Sequence, residues 1–354
     1  MNAKALGKGR GPGAWPVARE WVERPGVAPA LAPPTTPPTT PPTTPPTTPA
    51  TTPAPSTPLA ERLWAVFEVA FCPAVLIGCV VATYFARRAG LTWVTTLFVS
   101  SAAPLAIITL FEWLRPYRRD WNYPFREAPR AALRELGVDL LFALFITRIH
   151  TWLLPTVLPY VVPTAKLFGK KLGIYGALAG LPSPARVAIL LLVGELFWYW
   201  GHRLQHTVPL LWRFHATHHV PTRLSALKAA RNHPVDLLML SVVGYLPLVA
   251  LGARGRDLMW AALIQSVVNV LSHANVPVRS RGFSWLFATA DYHRVHHSAD
   301  ELESRSNYGC RLLFWDWVFG SLKAPREGVR IGVEPIGERG LLHQMFAPFT
   351  RRPL

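Results

Sequence analysis

The sequence has little charge and almost no cysteine. Charged residues make up 16% of the 354 residues, and apolar residues make up 50%. An average soluble domain has about 25% charged residues, so the chain is too apolar for an ordinary soluble protein. Its three cysteines are Cys72, Cys79 and Cys310, and they form no CxxC pair. This argues against a disulfide framework, a zinc ribbon and an iron–sulfur redox domain.

Acidic residues are also scarce. Lys and Arg total 37 against 20 Asp and Glu, which gives a net charge of +17. Such an excess is typical of nucleic-acid binding, but here the basic residues flank long apolar runs and form no separate basic domain. Cationic membrane proteins keep Lys and Arg in their cytoplasmic loops. We therefore predict a membrane protein that binds no nucleic acid.

The N-terminal part of the chain is rich in proline. Residues 1–58 contain 16 of the 35 prolines, and four Pro-Pro-Thr-Thr repeats run from Pro33 to Thr48. Because proline fixes φ and donates no backbone hydrogen bond, this stretch cannot build a core. We predict a disordered Pro/Thr-rich tail that acts as a spacer; a ligand for a proline-binding protein is the alternative. No apolar segment opens the chain, so we expect no cleavable signal peptide.

Long apolar runs follow the tail. A hydrocarbon core of about 30 Å needs about 20 helical residues. The candidate spans are Trp64–Ala86, Leu91–Phe111, Leu140–Val162 and Val187–Gly201. Two shorter uncharged runs, Leu237–Ala253 and Leu258–Ser272, predict a short or re-entrant hairpin. The predicted fold is an all-α integral membrane bundle, with domains at 1–58 (tail), 59–186 (transmembrane helices), 187–325 (histidine-rich domain) and 326–354 (C-terminal tail).

Loop charge predicts the orientation of this bundle. Two arginines, Arg87 and Arg88, separate the first two spans, whereas six follow the second: Arg115, Arg118, Arg119, Arg126, Arg130 and Arg134. The loop with more positive charge is expected in the cytoplasm. Alternation of the spans then places residues 202–233, and the chain from His273 onward, on the cytoplasmic side.

Ten of the twelve histidines lie between His202 and His297. One HxxxH motif and two HxxHH boxes account for eight of them: His202, His206, His215, His218, His219, His293, His296 and His297. His273 stands alone after the hairpin. Residues i, i+3 and i+4 of an α-helix share a face, so each box directs its imidazoles to one side. The rings fan out enough to reach two nearby ions.

This set of imidazoles indicates a two-ion site. A single zinc ion takes four ligands, whereas these motifs and His273 supply nine. Imidazole suits Zn, Cu, Fe or Ni, and a nitrogen-rich pair of ions beside a membrane favours iron that handles O₂. We interpret His150 and His343 as ordinary solvated or hydrogen-bonded residues. His233, before Pro234, is either a further ligand, a support for one, or the start of a helix.

These motifs resemble a known family. The segments in question read ELFWYWGHRLQH, WRFHATHH, RNHPVD, SHANV, DYHRVHH and NYGCRLLFWDWVFG. In order and spacing, over about residues 190–322, they resemble the fatty acid hydroxylase/sterol desaturase superfamily. The chain departs from the family pattern at Glu195, where Asp is more common, and at Asn275, because some members have further histidines in that motif.

The resemblance implies a membrane di-iron oxygenase with its metal ligands in the cytosol. The implied ligands are His202, His206, His215, His218, His219, His273, His293, His296 and His297, and no catalytic residue is implied beyond them. The resemblance also implies two iron ions, with zinc able to replace them in purified protein, and O₂ as co-substrate. It further implies a lipid substrate and a separate electron-transfer protein, because the chain shows no redox domain.

Further residues are candidates for orienting the ligands. Metal-bound imidazoles usually donate their second N–H to a carboxylate or a carbonyl. The candidates beside the motifs are Glu195, His233, Asp236, Asp291, Asn307 and Asp316. Glu195 lies two turns before His202 in an apolar run where an acid is costly; its alternative is a structural partner, such as Arg148. For the Asp and Asn residues the alternative is helix capping or solvation. The cluster of Trp315, Trp317 and Phe319 indicates anchoring at the membrane interface.

The function predicted from the sequence is hydroxylation of an unactivated C–H bond of a fatty acyl chain, sterol or isoprenoid. A lipid desaturase of the same superfamily is the near alternative. A membrane metal transporter or metal-binding protein is the alternative from another class, and it would need ionisable residues spread through several spans. A zinc peptidase is disfavoured because the HExxH motif is absent.

Overall fold

The structure is a computed structural model that describes residues 58–279, 282–333 and 340–350. Helices and short turns make up these ranges; they contain no strand, and their β-pairing is limited to two isolated bridges. The all-α prediction is therefore confirmed. The prediction of a disordered tail concerns residues that, except for Pro58, lie outside the described ranges.

Eleven α-helices occur in the described ranges. They are α1 (Pro58–Arg88), α2 (Trp93–Leu114), α3 (Pro129–Lys171), α4 (Ser183–Thr207), α5 (Pro209–His219), α6 (Pro234–Ala250), α7 (Gly255–His273), α8 (Ala290–His296), α9 (Glu301–Ser304), α10 (Phe314–Val318) and α11 (Leu341–Phe346). Short 3₁₀ turns at Arg119–Trp121, Ala226–Ala230, Phe283–Trp285 and Ala347–Phe349 lie between or after them.

Helix α1 has the length and composition of a membrane span. Among the described residues it is the one helix long and apolar enough to cross a membrane, and Ala102–Leu114 and Pro234–Ala250 are shorter apolar helices. Glu61 lies in its first turn and Arg87 and Arg88 in its last, an arrangement that complements the helix dipole. The bundle of four spans remains a prediction.

Close packing fixes α3 against α6. Helix α3 continues for 43 residues through Pro155, Pro159 and Pro163, well beyond the predicted span. A Cβ atom on Gly169 would lie 2.0 Å from the carbonyl oxygen of Ala250. The two helices therefore approach so closely that no larger residue fits at this position.

Helix α4 is the central element of the fold. The two runs predicted as a hairpin form α6 and α7, which a short turn connects. Each packs mainly against other helices: α6 against α3 and α4, and α7 against α2 and α4. Gly194 and Gly244 allow α4 and α6 to lie close, because a Cβ on Gly194 would be 3.6 Å from the Gly244 oxygen. The C-terminal end of α4, which carries His202 and His206, is thereby held among the other helices.

Candidate metal centre

The nine histidines predicted as ligands come together in two buried groups. The five-histidine group consists of His202, His206, His215, His219 and His296. The four-histidine group consists of His218, His273, His293 and His297. Within each group the nitrogens that could bind a metal all lie within 4.8 Å of one another. All nine side chains are at most 6% exposed.

The two HxxHH boxes divide between the groups in opposite senses. In the first box, on α5, His215 and His219 belong to the five-histidine group and His218 to the other. In the second box, at α8, His293 and His297 belong to the four-histidine group and His296 to the other. Residues four apart lie one above the other on a helix, and a residue three along is turned to the side. One short helix therefore serves both groups.

Most of these side chains lie at the ends of helices. His202 and His206 lie in the last turns of α4, and α5 begins at Pro209 directly after α4 ends at Thr207. Proline is favoured in the first turn of a helix, where its missing N–H costs nothing. The resulting corner brings His206 and His219 to a ring separation of 4.8 Å. His273 is the last residue of α7.

Backbone carbonyls set the tautomer of two rings in the four-histidine group. His218 donates from Nδ1 to the Arg231 carbonyl (3.1 Å), and His273 donates from Nδ1 to the Asn269 carbonyl (2.8 Å). A carbonyl oxygen only accepts, so in both rings the proton lies on Nδ1. The two Nε2 atoms carry free lone pairs and face each other at 3.2 Å.

The five-histidine group is oriented in the same way. His202 donates from Nδ1 to the Tyr308 carbonyl (2.6 Å), and His296 donates from Nδ1 to the Ser306 carbonyl (2.8 Å). Both ring nitrogens of His206, and Nε2 of His296, are buried without a hydrogen-bond partner in the described structure. Buried polar atoms without a partner are uncommon in proteins and point to a missing ion or water.

These distances fit a shared metal ion. Two ligands about 2.0–2.1 Å from one ion lie about 2.9–3.4 Å apart at the usual bond angles. The Nε2 atoms of His202 and His215 are 2.9 Å apart, and those of His293 and His297 are 3.1 Å apart. Burial lowers the pKa of His215, His218 and His273 to about 3, so the imidazoles stay neutral and available as ligands.

Asp236 is the predicted supporting residue that contacts a ligand directly. Its Oδ2 lies 3.2 Å from Nδ1 of His215, and the Gln205 amide donates to its other oxygen. Burial raises the pKa of Asp236 to about 8, against the lowering effects of His233 and Gln205. A metal ion bound at Nε2 of His215 would favour a proton on Nδ1 of the same ring. It would also favour the ionised form of Asp236, because the carboxylate then lies beside a positively charged metal–imidazole unit.

Asp316 supports a ligand indirectly. It accepts hydrogen bonds from the backbone N–H of Tyr308 (2.8 Å) and Gly309 (2.7 Å) and from the Ser321 hydroxyl (2.6 Å). Burial raises its pKa to about 6, and these three donors act in the opposite direction. The Tyr308 carbonyl accepts a hydrogen bond from His202. By holding the loop at Tyr308 and Gly309, Asp316 therefore also helps to orient the His202 ring.

A buried charge network lies behind His218. Arg231, whose carbonyl holds that ring, forms an ion pair with Asp139, and Lys228 binds the same carboxylate at 2.8 Å. Asp139 and Lys228 are at most 2% exposed. Tyr123 adds a hydrogen bond of 2.6 Å to Asp139. Sequence reasoning missed this network because its members lie some 90 positions apart along the chain.

Glu195 contacts polar side chains outside the two histidine groups. Its Oε1 accepts from Gln265 at 3.0 Å and pairs with Arg311 at 3.2 Å. Arg311 also stacks on the Trp198 ring, 3.6 Å from its centroid. These contacts place Glu195 against α7 and the segment before α10, and not against an imidazole. Its partners are therefore Gln265 and Arg311.

The other candidates also lie outside the two groups. His233 caps α6 by accepting from the Val235 N–H, and its second nitrogen bonds the Met345 carbonyl. Asp291 accepts from Thr289 in the first turn of α8. Asn307 has a positive φ of 51° and ties its loop to the carbonyls of Tyr292 and Lys323. Helix start and loop geometry therefore describe these residues.

Asn275 shows what replaces a further histidine after α7. Its side chain accepts from the Arg118 N–H and donates to the Arg118 carbonyl, and Glu112 accepts from its backbone N–H at 2.8 Å. These bonds join the segment after α2 to the end of α7. Asn275, two residues after His273, therefore holds the end of α7 in place beside the four-histidine group.

The sequence resembles several known proteins. The family model described as "Fatty acid hydroxylase" matches residues 187–321. Ornithine lipid hydroxylase OlsE of Rhizobium tropici is 30% identical over 301 residues, which cover 83% of this chain and 87% of that protein. Methylsterol monooxygenase 2-2 of Arabidopsis thaliana is 26% identical over 190 residues, 51% of this chain and 69% of that protein. Alkylglycerol monooxygenase of Homo sapiens is 28% identical over 163 residues, 43% of this chain and 35% of that protein. No solved structure gives a significant match.

Proposed function

The chain belongs to the fatty acid hydroxylase/sterol desaturase superfamily of lipid-acting oxidoreductases, and from this premise we propose that it is a membrane-bound di-iron lipid hydroxylase. The five-histidine group would hold one iron and the four-histidine group the other. Relatives named as a lipid hydroxylase and as monooxygenases support hydroxylation.

One observation carries the proposed metal binding. His218 and His273 both have their proton on Nδ1, and yet their bare Nε2 atoms face each other at 3.2 Å. Two lone pairs at this distance repel unless a cation lies between them. Burial keeps these rings unprotonated, so a proton is a poor candidate for that cation.

When bound, two iron ions would supply the chemistry for O₂-dependent oxidation of an unactivated C–H bond, with two electrons from an external donor. The protein would bind and orient. Backbone carbonyls orient His202, His218, His273 and His296, and Asp236 orients His215. These five ring planes are therefore fixed before any metal binds. Burial of all nine rings excludes bulk water from the ions.

The proposed substrate is a membrane lipid. A relative whose match covers 83% of this chain is named for ornithine lipid, so an ornithine lipid is the first substrate to test. The described chain offers no redox domain, and we propose that a separate protein delivers the electrons. We also propose the multi-pass topology with the histidine groups at the cytoplasmic face, on the grounds of loop charge.

Lipid analysis of cells that express the chain tests this function. We expect a lipid heavier by one oxygen atom, and isotopically labelled O₂ should supply that atom. Replacing His296 and His297 together removes one ligand from each group and should abolish the product, whereas His233→Asn should retain it. A product that still forms in the double variant contradicts the ligand assignment.

Desaturation is the second candidate. A sterol desaturase, the putative Δ7-sterol-C5(6)-desaturase 2 of Arabidopsis thaliana, is 28% identical over 151 residues. The same oxidant can remove a second hydrogen in place of forming an alcohol. The same lipid analysis separates the two, because a desaturated product is lighter by two hydrogen atoms and carries no labelled oxygen.

A further inference from the structure

Helices α1 and α2 enclose an apolar groove of about 450 Å³, termed here the α1–α2 groove. Small residues spaced four apart form its α1 wall: Ala70, Ala74, Gly78, Ala82 and Ala86. Larger apolar residues line the α2 wall, among them Pro104, Ile107 and Phe111. The volume falls within the 300–1,000 Å³ that is usual for a small-molecule site.

The small residues of the α1 wall face open space and not another helix. In membrane proteins, small residues at this spacing usually allow a second helix to approach closely. Here a Cβ atom added to Gly78 would meet nothing within 4 Å. The close approach that the spacing permits is therefore not used within the described chain, and the space is left for a separate molecule.

The groove has the dimensions of a lipid chain. From Ala70 to Ala86 the helix rises about 24 Å, and a chain in one leaflet spans about half of the ~30 Å hydrocarbon core. The groove also lies on α1, the helix that meets the criterion for a membrane span. The groove is therefore long enough to hold an extended acyl chain, and its apolar lining and surroundings suit one.

Charged residues mark one end of the groove. Glu68 is 8% exposed and pairs with Arg115 at 3.6 Å and with Arg279 at 3.0 Å. The three side chains carry a net positive charge, and the Arg279 side chain is 77% exposed. Phe67 lies beside them and lines the groove. The charged end of the groove is complementary to the headgroup of an anionic lipid, and the apolar groove is complementary to its acyl chain.

The same end of the groove packs against the elements that carry the histidine groups. Phe71 lines the groove and belongs to one continuous apolar cluster with Leu271 and Ala290. Leu271 is two residues before His273, and Ala290 is three residues before His293. The wall of the groove therefore packs on the elements that carry two members of the four-histidine group.

We propose that the α1–α2 groove binds the acyl chain of the lipid substrate, with the anionic headgroup at Glu68, Arg115 and Arg279. This inference rests on the proposed function, because it takes the occupant to be the substrate. A helix from a second copy of the chain is the competing occupant, and the experiments distinguish the two.

Cys79 provides a reporter inside the groove. It lines the groove and is partly accessible, whereas Cys72 and Cys310 are buried. Lipid-free protein held in amphipol would be titrated with dipalmitoyl phosphatidylglycerol while N-ethylmaleimide labelling is followed. At a lipid concentration about tenfold above Kd roughly nine sites in ten are filled, so labelling of Cys79 should slow by about tenfold.

The matched control moves the thiol out of the groove. Ile77 is 61% exposed and does not line it. In a variant with Cys79→Ala and Ile77→Cys, lipid should leave the labelling rate unchanged. Equal labelling of Cys79 with and without lipid overturns the proposal. Protection that instead follows protein concentration in the absence of lipid assigns the groove to a second copy and also overturns it.

A second variant tests the groove by filling it. Gly78→Leu adds a side chain to open space and should weaken lipid binding by about tenfold or more, since it displaces buried methylenes. Gly137→Leu on α3 is the control, because a Cβ there also meets nothing within 4 Å. Lipid-induced thermal stabilisation reports the affinity; equal affinities in the two variants contradict the proposal.

The headgroup end has its own test. Replacing Arg115 and Arg279 by glutamine should weaken binding of dipalmitoyl phosphatidylglycerol but not of dipalmitoylglycerol, which lacks the charge. Equal losses for both lipids contradict the headgroup assignment. If Cys79 is protected but no lipid is oxidised, the groove stands as a lipid site only, and the proposed function fails. If lipid is oxidised without protection, the groove fails and the function stands.

Discussion

The rings of His219 and His297 stack at a centroid distance of 4.4 Å and an interplanar angle of 25°, although the two residues belong to different histidine groups. His219 lies on α5 and His297 caps α8. Their backbones are tied as well, because the segment at Gly332 and Val333 donates to the carbonyls of both residues. The two groups are therefore neighbours within one rigid unit.

This division into two groups predicts the metal content of single variants. His206→Ala removes a ligand from the five-histidine group and His293→Ala removes one from the four-histidine group. We expect each purified variant to hold close to one ion where the parent holds two, as measured by elemental analysis. His233→Asn is the control: it lies outside both groups, asparagine also caps helices well, and it should keep both ions.

Asp236→Asn should weaken metal binding without removing a ligand. The Asp236 carboxylate accepts from His215 in the metal-bound state, and loss of such a partner usually costs 10–100-fold in metal affinity. Competition with a chelator measures this loss. Asp291→Asn is the matched change at an acid that contacts Thr289 and no imidazole; a similar loss there would argue against a specific role for Asp236.

Arg231→Met should affect both stability and the four-histidine group. It leaves Asp139 with one of its two cationic partners, and removing one member of a buried ion pair costs about 3–5 kcal/mol. Because the Arg231 carbonyl orients His218, a shift of this segment should also lower metal affinity. Thermal unfolding with and without metal separates the effects. Arg326→Met breaks an exposed pair with Glu303 and should change neither.

Burial of the imidazoles predicts the pH dependence of the metal-free protein. The pKa of His215, His218 and His273 falls to about 3 in the fold, against about 6.5 in the unfolded chain. Between these values the unfolded state binds more protons, so stability is full above about pH 6.5 and is lost as the pH falls towards 3.

Thermal unfolding of metal-stripped protein from pH 7.5 to 4.5 measures this dependence. Each such histidine contributes a slope of about 1.4 kcal/mol per pH unit. His273→Asn should reduce the slope by about one proton. His233→Asn should reduce it less, because the Met345 carbonyl and Asp236 oppose the lowering of the His233 pKa by burial. A parent protein whose stability does not change over this range would contradict neutral burial of the groups.

The histidine motifs illustrate how far sequence reasoning reached. Spacings of three and four residues directed the rings of each box to one side with enough spread for two ions, and the structure divides both boxes between two groups. The assignment of one histidine of each box to the other group, His218 from the first box and His296 from the second, was not predictable from the sequence. It depends on how α5 and α8 face each other, and spacing within one helix contains no information about a second helix.

The supporting residues show the opposite case. Most of the candidates chosen beside the motifs make other contacts: Glu195 pairs with Arg311, and His233 caps a helix. Four ligands are instead held by the carbonyls of Arg231, Asn269, Ser306 and Tyr308. Every residue has a carbonyl, so no residue type marks the ones that matter.

The sequence by itself determined the helical class, the long apolar first helix and the set of imidazoles, because these follow from hydropathy and from spacing along one helix. Tertiary structure alone decided which rings come together in one group, which carbonyls fix their protons, and that α1 and α2 leave a groove between them. Those features depend on distances between segments far apart in the chain, and such distances are set by the packing of the whole bundle.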